Sequence, residues 1–315
     1  MNVLMTAPRL AAQAAALIEA AGGRLFYMEP YPTAEAVAAL ARAVNAVAIL
    51  SRQGPVTAAV MEAAPGLRIV ARHGVGVDDV DVTEAVRRGI IVTRAPGSNT
   101  RAVAEHAMAM ILALVKDLAP LTAVVAAGAW RGAGTKVRDV EGLRLGLMGC
   151  GAIGQAVGRL GRAFGMRVAG FDPGRSGVEG IEMVGDVAAL LARTDVLSLH
   201  LPFSAATRHV VDGAALAAMP RGGYVVNTAR GGLIDEVALL AALESGHLAG
   251  AGLDVFEMEP PPREDRLRSH ARVIATPHVA GVTDGSLVTM GMMAAECIAA
   301  VLLGREVPAE RLVLA

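Results

Sequence analysis

Short apolar runs alternate with Ala-rich amphipathic stretches along almost the whole chain, and few folds accept that pattern. Strands buried on both faces read as continuous apolar runs, and an amphipathic stretch between two of them is a crossover helix on a parallel sheet. In the first hundred residues the pattern predicts strands near 2–6, 24–28, 46–50, 68–72 and 90–94. Helices are expected between them near 8–20, 34–43, 56–64 and 82–88, with Pro8 and Thr33 as helix starts and Gly22-Gly23 and Gly89 as stops. A run from Thr100 to Leu118 has helical spacing. A second series follows, with strands at 143–148, 167–172, 195–201, 224–228, 252–256 and 273–276, and a last helix near Asp284 to Leu303.

Because that last helix follows the second series, it is expected to return to the first. The predicted fold class is therefore α/β with two doubly wound lobes: a discontinuous lobe (1–98 and 282–315) and an inserted one (99–281). The 315 residues suit two domains, and 54% hydrophobic residues with 29 Lys+Arg against 30 Asp+Glu exclude disorder and the basic footprint of a nucleic-acid binder. Charge-free runs such as Leu145–Gly158 are too short for a membrane span, and the N-terminus reads as a strand rather than a signal peptide. Two cysteines, Cys150 and Cys297, make no disulfide framework, so a cytoplasmic protein is expected.

The most specific local signal is Gly149-x-Gly151-x-x-Gly154, placed after an apolar strand and opening an Ala/Gly-rich helix, with Asp172 at the end of the next strand. The first glycine permits a tight turn, the second lets backbone approach a pyrophosphate, and the third allows close helix–strand packing. Free N–H groups at a helix start favour phosphate charge, and Asp172 would accept from a ribose diol while repelling a 2′-phosphate. The expected cofactor is NAD, with Arg175 close enough to soften the preference over NADP. Cys150 fills a variable position of this turn and is read as packing.

From Asn227-Thr228-Ala229-Arg230-Gly231-Gly232-Leu233-Ile234-Asp235-Glu236 onward the sequence resembles the D-isomer-specific 2-hydroxyacid dehydrogenases. The likeness continues through Gly252 to Pro260 and Thr276-Pro277-His278, and reaches back to Gly74-Val75-Gly76-Val77-Asp78 and Val103-Ala104-Glu105-His106. Segments Arg72–Asp78 and Asp254–Pro262 look most like phosphoglycerate dehydrogenases, of short form, since Val279–Ala315 is too little for a regulatory domain. The resemblance implies a Rossmann-like lobe inserted into a flavodoxin-like substrate lobe, with the active site in the cleft between them. It implies Arg230 as the substrate-binding arginine, Glu259 as the acid paired with the histidine, and His278 as the proton donor and acceptor. Asp79 stands where Asn is common, and His73 where a small residue is frequent.

These residue types suit reduction of a 2-keto acid. A histidine titrates near neutrality and can pass the proton, an acid on its other nitrogen fixes the tautomer, and a guanidinium is a planar fork for a carboxylate. Backbone N–H groups at Val75 and Gly76 can form an anion nest for that carboxylate. Arg52 and Arg72 end two strands and would hold a second anionic group if they point inward. Further cofactor contacts implied are Thr100, Ala152, Ile153, Leu201, Pro202, Thr207, Thr228, Ala229, Ala280 and Gly281. Asp254 is either near the carboxamide or a strand-end cap.

Among other histidines, His106 is expected in packing or at a domain interface, His200 beside the adenosine, and His209, His247 and His270 in solvent. No metal-ligand spacing appears. The expected function is an NAD-dependent D-2-hydroxyacid dehydrogenase, 3-phosphoglycerate first, with glyoxylate or hydroxypyruvate as the alternative. Formate chemistry is disfavoured because Glu259 replaces the amide that those enzymes place beside the histidine, phosphite oxidation stays open, and an NAD-sensing corepressor-like module is the rival from another class. Apolar residues around much of the Thr100–Leu118 run imply cover on several sides, hence a homodimer. Hinges are expected near Pro96-Gly97 and Ala280-Gly281.

Overall fold

The structure is a computed structural model and describes residues 1–314. It divides into two compact units, Met1–Asn99 with the segment from Val282 onward, and Thr100–Gly281.

The first unit is a five-stranded parallel sheet of β1 (Asn2–Met5), β2 (Arg24–Tyr27), β3 (Ala48–Ser51), β4 (Ile69–Arg72) and β5 (Ile91–Thr93). Its order, β2-β1-β3-β4-β5, is the flavodoxin-like one. The connecting helices are α1 (Ala12–Ala20), α2 (Ala34–Ala43), α3 (Ala58–Ala63) and α4 (Val82–Arg87). One face of the sheet packs Val37, Ala41, Val60 and Met61 from α2 and α3. The other packs Ala14 and Ile18 of α1 together with Ala294, Ala295, Ile298 and Val301 of the last helix, Asp284–Leu302. That helix is long and apolar enough to cross a membrane by length and composition, yet more than half of it is buried, so it serves as a core helix. Thr33 caps α2 by accepting the Ala36 N–H (3.3 Å). Pro8 starts no helix: α1 begins at Ala12, behind Ala11 in extended geometry.

The second unit holds α5 (Thr100–Val115), α6 (Leu118–Ala126) and a seven-stranded parallel sheet. The strands are β6 (Arg144–Met148), β7 (Arg167–Phe171), β8 (Glu182–Met183), β9 (Val196–Leu199), β10 (Gly223–Asn227), β11 (Leu248–Leu253) and β12 (Val273–Ala275). Their order, β12-β11-β10-β9-β6-β7-β8, is the doubly wound dinucleotide arrangement extended by one strand, and it reverses direction between β6 and β9. Helices α7 (Ala152–Ala163), α8 (Val187–Leu191), α9 (Gly213–Ala218) and α10 (Glu236–Glu244) connect these strands, and the helix Asp284–Leu302 becomes α11.

The helix expected over Thr100–Leu118 is α5, which stops three residues earlier, at Val115. Asp117 adopts a left-handed conformation (φ +49°) and ends α5, after which α6 starts afresh with Pro120 in its first turn. The apolar girth of α5 is satisfied inside the unit, where Ala107, Met110, Ile111 and Leu114 join the core beside Val157, Tyr224 and Val226. It is α6 that has no buried residue, with Leu118, Val124 and Val125 exposed and Trp130 beyond it 77% exposed. The strand expected at 252–256 lies earlier, at Leu248–Leu253, and leaves Asp254 to Glu259 free to form a loop.

Candidate active site

The turn after β6 needs glycine for three separate reasons. Gly149 is left-handed (φ +94°), and a Cβ there would lie 2.7 Å from the His200 carbonyl. A Cβ on Gly154 would collide with the Gly149 carbonyl oxygen, so α7 packs hard against the turn. Gly151 has nothing within 4 Å of the place its Cβ would take, which leaves its backbone open to a ligand. The N–H groups of Ala152, Ile153 and Gly154 open α7 with no preceding turn to accept them.

Asp172 is tied to the same turn: Cys150 N–H donates to Oδ2 and Gly174 N–H to Oδ1, each at 2.9 Å, with Arg175 Nε 4.0 Å away. Thr228, after β10, has a buried hydroxyl without a protein partner. An open cradle, helix-start donors, a strand-end acid and an orphaned hydroxyl fit a dinucleotide. Leu201, Pro202 and Thr207 form the loop after β9, where Thr207 Oγ1 donates to the Pro202 carbonyl (2.9 Å). Thr100 starts α5, and Ala229 follows Thr228. Burial pushes the Cys150 thiol up to about 11, which keeps it an inert packing group, and pushes His200 down to about 4, its ring bonded to Ser198 Oγ (2.9 Å).

Three loops at the strand ends build a second cluster. Arg230 follows β10 in a turn that Asn227 folds, donating from Nδ2 to the Arg230 carbonyl (2.8 Å) and accepting the Ala229 N–H (3.0 Å). Glu259 lies in the long connection between β11 and β12, six residues after Leu253. His278 lies in the loop after β12 with a left-handed backbone (φ +51°), and its N–H donates to the Asp254 carbonyl (2.8 Å). Here His278 Nδ1 meets Glu259 Oε2 at 2.6 Å, while Glu259 Oε1 accepts the Phe256 N–H (3.2 Å).

That geometry sets the charges. The Glu259 hydrogen bond and then its charge raise the His278 pKa, against opposition from burial and from Arg230. Burial pushes Glu259 upward, but the His278 hydrogen bond and charge, with help from the Phe256 N–H and Arg230, hold it below the usual carboxylate range. With Nδ1 committed to Glu259, Nε2 is the nitrogen left for a substrate oxygen, and the His278 side chain is 52% exposed.

Asp254 follows directly on β11. Its buried carboxylate accepts from Thr276 Oγ1 (2.5 Å) and from the N–H groups of Val279 and Ala280 (2.8 Å each), so it organises the whole His278 loop, up to Ala280 and Gly281. The single Thr276 hydroxyl proton goes to Asp254, so His106 Nε2 donates to Thr276 Oγ1 (3.0 Å) and braces the same network.

The first unit carries the remaining expected residues. Arg72 does not present a free fork: Nε donates to the Gly76 carbonyl (2.9 Å), Nη1 to the Ser51 and Arg52 carbonyls (3.1 and 2.7 Å), and Nη2 to Asp79 (3.0 Å). It braces the 74–79 loop, and Asp79 in place of Asn is its counter-charge. Arg52 is half-buried, and its guanidinium makes no hydrogen bond among the described residues. Among those residues, the N–H groups of Val75 and Gly76 have no acceptor either. His73 is buried beside these arginines with Nδ1 unpartnered, and burial together with the Arg52 charge pushes it down to about 4.

Residues to which sequence reasoning gave no role are Asn227, Thr276, Gly231 and Glu236. Asn227 at a strand end is an Asx-turn signal that was legible. The others act across loops that only folding brings together. His209 and His247 are not simply solvated, since His209 pairs with Glu257 and His247 Nε2 donates to the Leu216 carbonyl (2.9 Å).

The family model described as "D-isomer specific 2-hydroxyacid dehydrogenase, NAD binding domain" matches residues 108–280. A hydroxypyruvate reductase of Thermotoga maritima is 42% identical over 231 residues, covering 72% of this chain and 75% of that one. A D-3-phosphoglycerate dehydrogenase of Methanocaldococcus jannaschii is 40% identical over 253 residues, covering 79% of this chain but 48% of its own length, so the chain spans about half of that relative. Among solved structures, the TT0316 protein of Thermus thermophilus superposes with a TM-score of 0.92 at 35% identity, each chain covered in full.

Proposed function

The chain belongs to the D-isomer specific 2-hydroxyacid dehydrogenase family, and from that premise we propose that it interconverts a small anionic 2-hydroxy acid and its 2-keto acid with NAD. The observation that carries this reading is the His278–Glu259 pair at 2.6 Å with Arg230 close enough for its charge to act on both. Arg230 binds and orients the substrate carboxylate, and in the first unit the Val75 and Gly76 N–H groups are backbone donors of the kind that bind an anion. His278, protonated in the reductive direction, delivers its Nε2 proton to the substrate oxygen, and in the oxidative direction the neutral ring removes it. NAD(H), held by the turn at Gly149–Gly154, Asp172 and Thr228, supplies or accepts the hydride when bound.

The leading substrate class is 3-phosphoglycerate-like, with Arg52 on the distal anion. The engagement of Arg72 by its own loop favours a second reading, a compact keto acid such as hydroxypyruvate or glyoxylate, because one guanidinium is left where two were expected. NADH oxidation with 3-phosphohydroxypyruvate, hydroxypyruvate and glyoxylate tests both. In the phosphorylated case Arg52→Ala raises KM for the phospho-acid by about tenfold or more, the size of one charge-assisted contact, and leaves glyoxylate unaffected. Uniform turnover by wild type and variant selects the compact class, and no turnover on any acid removes the enzyme reading.

The pH dependence has a definite sign. Reduction needs His278 charged, and its pKa is raised, so kcat/KM for reduction is full at low pH and falls as pH rises through that raised value. Oxidation rises over the same interval. Glu259→Gln removes the charge that raises it, so both limbs move to lower pH, as kcat/KM profiles will read.

For quaternary structure, α6 supports a homodimer better than α5 does: a helix with no buried residue and exposed Leu118, Val124 and Val125 needs an apolar partner. Sedimentation is expected to give about twice 32.2 kDa, and Val125→Glu to halve it. We place the protein in the cytoplasm, consistent with two buried free cysteines.

A further inference from the structure

The segment Phe256–Glu259 has no regular structure, yet it must hold one carboxylate within hydrogen-bond reach of His278. Three groups outside the proton-carrying pair grip it. Glu236, the first residue of α10, accepts the Glu257 N–H at 2.8 Å. His209, itself left-handed (φ +49°), sets its ring on the Glu257 carboxylate and its N–H on the Gly232 carbonyl (2.8 Å). Gly231 lies so close to Phe256 and Glu257 that a Cβ would overlap their backbone, which clamps the Arg230 turn to the Glu259 loop.

Glu236 is half-buried among other acids, Glu257, Asp265 and Glu259. An acid set among acids is unfavourable by itself, and the Glu257 N–H is the compensating contact. Losing it would free the backbone two residues before Glu259.

We propose that Glu236 is a positioning residue for the Glu259–His278 pair, holding the loop by its backbone while His209 holds the same residue by its side chain. The proposal rests on the reading of His278 as the proton carrier, so its test must not depend on turnover. The charged groups acting on His278 are Glu259, Arg230 and Asp254. Glu236 shares its field with Glu259, so the loop effect is isolated by E236Q, which removes the same charge as E236A and keeps the hydrogen-bond acceptor.

The imidazole of His278 is titrated by NMR in the full-length wild type, E236A, E236Q and H209A, its signal assigned by loss in H278A. E236A and H209A are expected to bring the His278 pKa down, while E236Q, whose amide oxygen still accepts the Glu257 N–H, keeps the wild-type value. With glyoxylate as the probe acid, kcat/KM falls about ten- to a hundred-fold in E236A, the cost of an ångström-scale misplacement, and the KM for NADH stays unchanged. An unchanged His278 pKa in E236A, or in H209A should E236A fail to fold, overturns the proposal. E236Q behaving as E236A overturns the hydrogen-bond basis. A wild type inert toward every acid would sink the enzyme reading and still leave this titration readable.

Discussion

His278→Ala is expected to lower kcat/KM for keto-acid reduction by about 10²–10⁴-fold, with melting temperature and NADH affinity near wild type. The size of the loss follows from the lack of a substitute. Arg230 is assigned to the substrate carboxylate. Glu259 is held below the usual carboxylate range by the histidine itself, and without that partner it would be a half-exposed acid in the wrong place for Nε2. His106 is committed to Thr276 and His209 to Glu257. The stability expectation follows from exposure: the His278 side chain is half in solvent, so its removal leaves no cavity, and the left-handed backbone at this position carries a strain that alanine inherits. Binding of NADH with turnover lost only in the variant separates an enzyme from an NAD-sensing module, which would bind and turn over nothing in either form.

Most of the fold and the centre of the site could be read from the chain alone, and the reasons are local. Parallel strands such as Ala48–Ser51 and Val196–Leu199 are buried at every position and stand out as apolar runs, and the Gly149–Gly154 turn carries its whole requirement within six residues. What could not be read depends on which loops meet. Arg72 at a strand end looks the same whether it waits for an anion or braces its own loop; the difference lies in Asp79 and two carbonyls from β3 and its exit. The departure to Asp at 79 was visible, and the structure pairs that carboxylate with Arg72. The helix α6 was not foreseen, though Pro120 suits the first turn of a new helix that follows α5. Glu236, Thr276 and His209 had no local signal, because their partners lie 21, 22 and 48 residues away.

Asp254→Ala is expected to destabilise the second unit strongly. The carboxylate is 1% exposed and serves three donors, Thr276 Oγ1 and the Val279 and Ala280 N–H groups, the last of these buried. Alanine fills none of that space and offers no acceptor. Each stranded donor costs about 1–3 kcal/mol, so the loss should reach about 3–5 kcal/mol after partial relaxation, a large share of the 5–15 kcal/mol that a domain typically has. Asp254→Asn should fall between, because its amide oxygen can keep the Thr276 and Val279 bonds while its NH₂ group faces the Ala280 N–H, donor against donor. Urea unfolding followed by circular dichroism reads the difference in midpoint at constant slope. The His278 N–H bond to the Asp254 carbonyl survives both substitutions, since it uses backbone alone. Activity of folded Asp254→Asn should therefore fall less than that of His278→Ala. A wild-type midpoint for Asp254→Ala would mean that the loop carrying His278 is held by something other than this carboxylate.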